Sequence, residues 1–259
     1  MTRILQITDC HLLEAEGALL LGVDTAASLG AVLDQALAQQ NPDLLLVSGD
    51  VGHDGKAATY DRFARIVRER FAGRMLALPG NHDAGQTLAR TLEAQGAETA
   101  VGAVKSLELD GWQLIALDSH IDDEPQAALS PVHVEELRAL VEAATLPLLI
   151  TLHHPLLPVG APWLDKDCLR EGRALLEWLA ARPLVRAVVF GHVHQSVDEA
   201  FKNLRLWGTP STCFQFAPGS QSFSVDHRQP GYRWLTLEHS GSIHSQVERL
   251  SDFPLTIKQ

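Results

Sequence analysis

The sequence has few cysteines, no long apolar run and little positive charge. Each shortage narrows what the chain can be. Its three cysteines, Cys10, Cys168 and Cys213, are odd in number and far apart. That argues against a disulfide framework and for a reducing compartment, so a cytoplasmic protein is expected. No apolar stretch approaches the ~20 residues of a membrane span, so no membrane partner is expected. The first apolar run begins at Arg3, and no charged segment with an apolar core precedes it. No signal peptide is therefore expected. Lysine and arginine total 21 against 32 aspartates and glutamates, a net charge of −11. Such acidity disfavours nucleic-acid binding through phosphate contacts. Internal repeats and low-complexity tracts are also missing.

Apolar residues make up 46% of the 259 positions, enough for a sizeable core in one domain spanning residues 1–259. Five short motifs, each rich in metal-ligating side chains, punctuate the chain. They are DCH (Asp9, Cys10, His11), GD (Gly49, Asp50), GNHD (Gly80, Asn81, His82, Asp83), HHP (His153, His154, Pro155) and GHVH (Gly191, His192, Val193, His194). Each directly follows an apolar, β-like run: RILQIT, DLLLVS, RMLALP, PLLITL and RAVVF. A strand ending in ligands, repeated five times, aims those ligands at one sheet edge, where sites in open α/β sheets form. Imidazoles, carboxylates and one amide together suit divalent transition metals. A lone histidine or aspartate at a strand end is usually a cap or turn residue. Five in order, all after strands, point instead to a two-metal hydrolase.

Strands alternate with helices through the first two-thirds of the chain, as in βαβ units. Helices are expected over residues 24–40, 59–71, 84–95 and 169–181, with another opened by Ser130 as cap and Pro131 at its first position. Asp110-Gly111, between apolar runs at 104–109 and 112–117, predicts a hairpin. After GHVH the texture changes. Residues 197–206, 232–237 and 243–250 read as strands with no helix between them, which suggests a second sheet. A long loop, 207–231, is expected to cover the site. The predicted fold is α/β: a four-layer αββα sandwich of two mixed sheets flanked by helices.

If Asp9 and His11 lie on an extended segment, both face one side, and the same holds for His192 and His194. The same alternation turns Cys10 away, as a buried filler. The glycines before Asp50, Asn81 and His192 are expected to let the backbone turn sharply. His154 is expected to point the other way and to act as a supporting or structural group rather than a ligand; His53 is either close to the site or, the preferred reading, on a surface loop. Asp83 is either an orienting group for an imidazole or a cap for the helix that follows. For Trp163 and the aromatics of 211–216, core packing and a cap over a ligand are equally good accounts.

The five motifs, in this order, resemble the calcineurin-like metallophosphoesterase superfamily. Within it, the chain is similar to the bacterial class III 3′,5′-cyclic-AMP phosphodiesterases. The further likeness lies in ILQITDCHL, LLGVDT, PWLD (162–165), TPSTCFQF (209–216) and PGYRWLTL (230–237). The resemblance implies the four-layer sandwich. It also implies two divalent metal ions, iron or manganese foremost, with zinc and cobalt also suiting the ligands. Asp9, His11 and His194 match ligands of one ion, Asn81, His153 and His192 ligands of the other, and Asp50 the bridge. His82 matches a catalytic, non-ligand histidine. His11, Asp50, Asn81, His82 and His194 are the positions expected to meet substrate. The implied reaction is hydrolysis of 3′,5′-cyclic AMP, a small-molecule partner, to 5′-AMP. The alternatives are another phosphodiester or phosphomonoester and, on the same fold, a non-catalytic interaction module. The sequence leaves the oligomeric state open.

Overall fold

The computed structural model describes residues 1–121 and 126–258. In chain order its elements are β1 (Thr2–Ile7), α1 (Thr25–Gln39), β2 (Leu44–Ser48), α2 (Ala57–Arg68), β3 (Met75–Leu78), α3 (Gly85–Ala94), β4 (Glu98–Thr99), β5 (Val104–Leu109) and β6 (Trp112–Leu117). There follow α4 (Pro131–Ala143), β7 (Leu148–Thr151), α5 (Pro162–Asp165), α6 (Gly172–Ala180), β8 (Val185–Phe190), β9 (Val197–Phe201) and β10 (Leu204–Gly208). The last strands are β11 (Gln215–Phe216), β12 (Val225–Asp226), β13 (Gly231–Leu237) and β14 (Ile243–Arg249).

The local signals behave as chemistry requires. The Asp24 carboxylate accepts from Ala27 N–H and caps α1, while Ser130 Oγ accepts from His133 N–H and caps α4 with Pro131 behind it. Asp110 and Gly111 both take positive φ, 42° and 87°, the two-residue turn that the twist of a hairpin favours. β5 and β6 pair in register around it.

Two six-stranded mixed sheets form, in the orders β14-β13-β1-β2-β3-β4 and β5-β6-β7-β8-β10-β9. In the first, β1, β2, β3 and β4 run parallel and β13 and β14 join antiparallel. In the second, β6, β7, β8 and β10 run parallel, with β5 and β9 antiparallel at the edges. Alternate side chains of each central strand serve different layers. Ile4, Leu44 and Leu76 pack between the sheets against Leu114, Leu149 and Val189. Leu5, Leu45 and Ala77 face α1, α2 and α3, and Leu148, Ile150 and Val188 face α4 and α6. The result is the expected αββα sandwich.

The C-terminal strands depart from expectation. They do not build the second sheet: β9 and β10 join one sheet, β13 and β14 the other. The run at 197–206 is two strands, broken at Lys202, whose φ is 55°. The 207–231 segment also carries a small sheet, β11 paired with β12. Among the described residues, no helix is long and apolar enough to cross a membrane.

Candidate metal centre

All seven predicted ligands converge. Asp9 and His11 follow β1, Asp50 follows β2, Asn81 follows β3, His153 follows β7, and His192 and His194 follow β8. The parallel strands of both sheets therefore deliver their carboxyl ends to one place. His11 Nε2 lies 3.0 Å from His194 Nε2 and 3.5 Å from Asp50 Oδ2. His194 Nε2 lies 3.3 Å from Asp9 Oδ1. On the other side, His153 Nε2 is 3.5 Å from the same Asp50 Oδ2, and His192 Nδ1 is 3.0 Å from Asn81 Oδ1. One Asp50 oxygen thus stands between both sets, as a shared ligand must. Its other oxygen, Oδ1, accepts from His82 N–H at 2.9 Å.

The backbone reaches this arrangement by a route that alternation did not predict. Asp9, His11, Asp50, His192 and His194 all have positive φ, between 45° and 65°. They sit in left-handed turns beyond the strands rather than on extended segments. Aspartate and histidine are among the non-glycine residues that tolerate this region, and such strain concentrates at functional sites. Cys10 is fully buried in the core beside the helices, as expected, though a turn and not a pleat points it there.

The motif glycines act mainly by leaving space. Only Gly49 has positive φ, 100°, among the three. A Cβ on Gly49 would come within 2.2 Å of His153 Nδ1, on Gly80 within 2.2 Å of Asp50 Oδ1, and on Gly191 within 2.0 Å of Thr8 Oγ1. Each glycine lets one strand end lie directly against another.

Hydrogen bonds fix the imidazole tautomers. His153 Nδ1 is 2.8 Å from Ser48 O, and His194 Nδ1 is 2.8 Å from Phe214 O. A carbonyl only accepts, so both Nδ1 atoms carry a proton and both Nε2 atoms are the ones left to face the centre. The buried Nε2 atoms of His153 and His192 have no hydrogen-bond partner. Unpartnered buried nitrogens converging on two carboxylates are what a cation satisfies, so the residues present fit a bound metal pair. Charge agrees. Burial raises the Asp9 carboxyl, but His194 and His153 overcome it and hold it low; burial acts likewise on Asp50, and His153 and His11 hold it well below its ordinary value. Burial keeps His11 well below its usual pKa and, with His153 adding to it, brings His192 to about 3. For His153, burial is overridden by Asp50 and Asp9 and the value rises to about 9, so positive charge is favoured between the carboxylates.

The neighbouring residues sort differently from expectation. His82 stands exposed at the mouth, with its ring 4.9 Å from His11 and 4.6 Å from His53. His53 is no bystander: it is half-buried, lines the same cavity, and its Nδ1 is 3.3 Å from His11 Nδ1. His154 does not turn clear of the site. Its ring lies 4.9 Å from that of His192, with Nδ1 2.9 Å from Ser119 Oγ. Asp83 neither orients an imidazole nor caps α3. It is buried and accepts from the N–H groups of Val51, Gly52 and Gly80, clamping two motif loops together. Burial, then Asp50, raises its carboxyl to about 7.

Above the centre lies a cavity of about 380 Å³. Its polar floor holds His11, Asp50, Asn81, His82, His192 and His194, including every residue expected to meet substrate. Asp9 and His153 lie behind. Its apolar wall includes Trp163, Phe214, Phe216 and Phe223. Phe216 stacks on His194 at 4.1 Å, and Trp163 meets Phe216 edge-on at 4.9 Å. Trp163 Nε1 donates to Ser220 Oγ at 2.9 Å, tying α5 to the 207–231 segment. The aromatics thus wall the cavity.

Known proteins resemble this chain. Over 96% of this chain and 90% of their own lengths, two relatives align with it at 36% and 39% identity. They are the 3′,5′-cyclic adenosine monophosphate phosphodiesterases CpdA of Pseudomonas aeruginosa and of Vibrio vulnificus. Among solved structures, a dimetal phosphatase from Danio rerio superposes with a TM-score of 0.64 at 15% identity, over 90% of this chain and 94% of its own. That likeness carries the fold. The calcineurin-like phosphoesterase profile matches residues 2–196, which contain all five strand-end motifs. With that match and those full-length relatives, the chain belongs to the calcineurin-like phosphoesterase family.

Proposed function

We propose that the chain hydrolyses 3′,5′-cyclic AMP to 5′-AMP, using two divalent metal ions. One observation carries this reading: five of the seven converging ligands, His11, Asp50, Asn81, His192 and His194, floor a cavity of about 380 Å³ whose wall is aromatic. A mononucleotide needs both surfaces, one for phosphate and one for base. The relatives, 3′,5′-cyclic adenosine monophosphate phosphodiesterases, support the same substrate.

Asp9, His11 and His194 would hold one ion, Asn81, His153 and His192 the other, with Asp50 shared. Imidazole, carboxylate and amide donors suit iron or manganese, and also zinc or cobalt. When bound, such a pair supplies hydroxide at neutral pH and offsets the charge that builds on phosphate. The chain's own residues do the rest. Ser48 and Phe214 carbonyls keep the His153 and His194 lone pairs aimed inward. Phe216 and Trp163 hold the base by stacking and shed water from the wall. Attack at phosphorus breaks the bond to the 3′ oxygen. His82, at the mouth, gives a proton from a ring nitrogen to that departing oxygen, which leaves 5′-AMP. The three free cysteines suit a reducing compartment such as the cytoplasm.

The test is product chromatography on purified, metal-quantified protein. We expect 5′-AMP as the main product and loss of turnover on chelation. Brisk phosphomonoester hydrolysis, with cyclic AMP untouched and metals supplied, overturns the proposal and makes the chain a phosphatase.

A further inference from the structure

We infer that Asp167 reads the exocyclic amino group of the substrate's base, which makes it the residue that selects adenine. The inference rests on the cyclic-AMP reading above and adds the specificity determinant. Asp167 follows α5, the short helix that supplies Trp163, and its own N–H bonds back to Leu164 O at 3.0 Å. That bond ends the helix and places the side chain on the cavity wall, among Trp163, Leu164, Phe216 and Phe223.

One oxygen of this carboxylate, Oδ1, is buried without a hydrogen-bond partner, and Asp167 is only 7% exposed. Among the described residues, no cation pairs with it within 4.0 Å. Burial raises its pKa, against the pull of Lys166. An unpartnered buried carboxylate is costly and persists where it meets something outside the chain. Structural need does not explain it. Two residues earlier, Asp165 already does the local work: its Oδ1 accepts from Val159 N–H at 2.7 Å. A third metal does not explain it either. Among the described residues, Asp167 belongs to none of the clusters of ligand atoms close enough to share an ion.

What remains is a carboxylate that lines an aromatic wall, in the cavity whose floor receives phosphate. Its complement is a flat ring carrying an N–H donor at its rim. Adenine presents that donor as the 6-amino group. Stacking on the aromatics cannot tell purines apart, because every base has a π-face. A buried acceptor can, because an analogue without the donor leaves it unpaired.

The experiment compares 3′,5′-cyclic AMP with purine riboside 3′,5′-cyclic phosphate, which lacks only the 6-amino group. Metal-loaded wild type and Asp167→Leu are each assayed on both. We expect wild type to favour cyclic AMP in kcat/KM by roughly 10- to 100-fold, the range for a hydrogen bond to a charged group. The preference should lie in KM and fall to near unity in the variant. Because both rates come from one sample, partial misfolding cancels from the ratio. Leucine removes an unpaired charge from an apolar wall, so the variant should melt no lower than wild type; a structural carboxylate would make it melt lower. If the variant is not recovered folded, product inhibition of wild type by 5′-AMP and by purine riboside 5′-monophosphate gives the same ratio. Equal treatment of the two purines by wild type, or a preference that survives in Asp167→Leu, overturns the inference while leaving the cyclic-AMP reading intact. A wild type that turns over neither cyclic nucleotide, yet hydrolyses bis-p-nitrophenyl phosphate, sinks both.

Discussion

Gly80 is where a single methyl group should do most damage. A Cβ there would sit 2.2 Å from Asp50 Oδ1 and 2.5 Å from Asp50 N. Ordinary contact begins at 3.4 Å. The carboxylate expected to serve both metal ions must therefore move by roughly 1 Å, and a displacement of that size at a reacting centre costs about 10²-fold in rate. The backbone N–H of Asp50 is crowded as well, so a rotamer change cannot relieve the clash. Gly80 is not in the left-handed region, so alanine brings no backbone strain and the effect is one of space alone. Overpacking costs about 1–3 kcal/mol, within the ~5–15 kcal/mol stability of an ordinary domain, so the protein should stay folded. The assay is kcat on cyclic AMP with metal content and melting temperature from the same sample. Gly30→Ala is the control. Gly30 lies inside α1, where the nearest atoms to a Cβ belong to the Arg70 guanidinium, at 3.2 Å. That change should stabilise the helix by about 0.5–1 kcal/mol and spare the centre. Gly80→Ala with full activity and both ions in place would refute the reasoning.

Asp50→Ala should lose more bound metal than any other single ligand change, because its Oδ2 stands 3.5 Å from imidazoles of both sets; elemental analysis that finds both ions retained rules out a bridge. His82→Ala should cut cyclic-AMP turnover by ~10²–10⁴-fold, the range for a positioned acid, and harm bis-p-nitrophenyl phosphate hydrolysis much less, since p-nitrophenolate leaves without a proton. Equal losses with metals retained would mean that His82 chiefly stabilises phosphate charge. Asp83→Ala strands three buried N–H groups, each costing about 1–3 kcal/mol, so the melting temperature and metal affinity should both fall; an unchanged melt would show that water replaces the carboxylate.

The legible part of this chain was the coincidence of two signals. Apolar runs such as DLLLVS fix strand positions through burial, and a ligand placed just after each run fixes where it points in the fold. β2 and β8 end at Ser48 and Phe190, directly before Gly49 and Gly191, as the text of the sequence implies. Strand partners were not legible. Residues 231–237 pair with β1, more than 220 positions away, and 204–208 pair with β8; nothing local distinguishes those edges. His53 was missed because one histidine in a Gly-rich loop carries no pattern; only the 3.3 Å approach to His11 reveals it. Asp167 was missed for a related reason. Its oddity is the lack of a partner in three dimensions, and a sequence cannot display that.

The left-handed backbone at Asp9, His11, Asp50, His192 and His194 explains how loops, rather than strands, can hold a metal site rigidly. Each such residue gives up a comfortable conformation, at about 1–3 kcal/mol. Hydrogen bonds between the loops offset that cost. Asp9 N–H bonds Gly49 O at 3.0 Å, His11 N–H bonds Asp50 O at 2.9 Å, and Leu12 N–H bonds Val51 O at 3.1 Å. The loops after β1 and β2 thus stay zipped together beyond their sheet. His192 N–H closes onto the Asp9 carboxylate at 3.0 Å, which brings the loop after β8 into the same unit. Thr212 N–H bonds Thr8 O at 3.2 Å and Ser211 Oγ donates to Asp9 O at 2.7 Å. The segment that carries the aromatic wall is thereby fastened to the loop that carries two ligands. Floor and wall are therefore one hydrogen-bonded body, and a substrate that spans them meets a cavity already shaped.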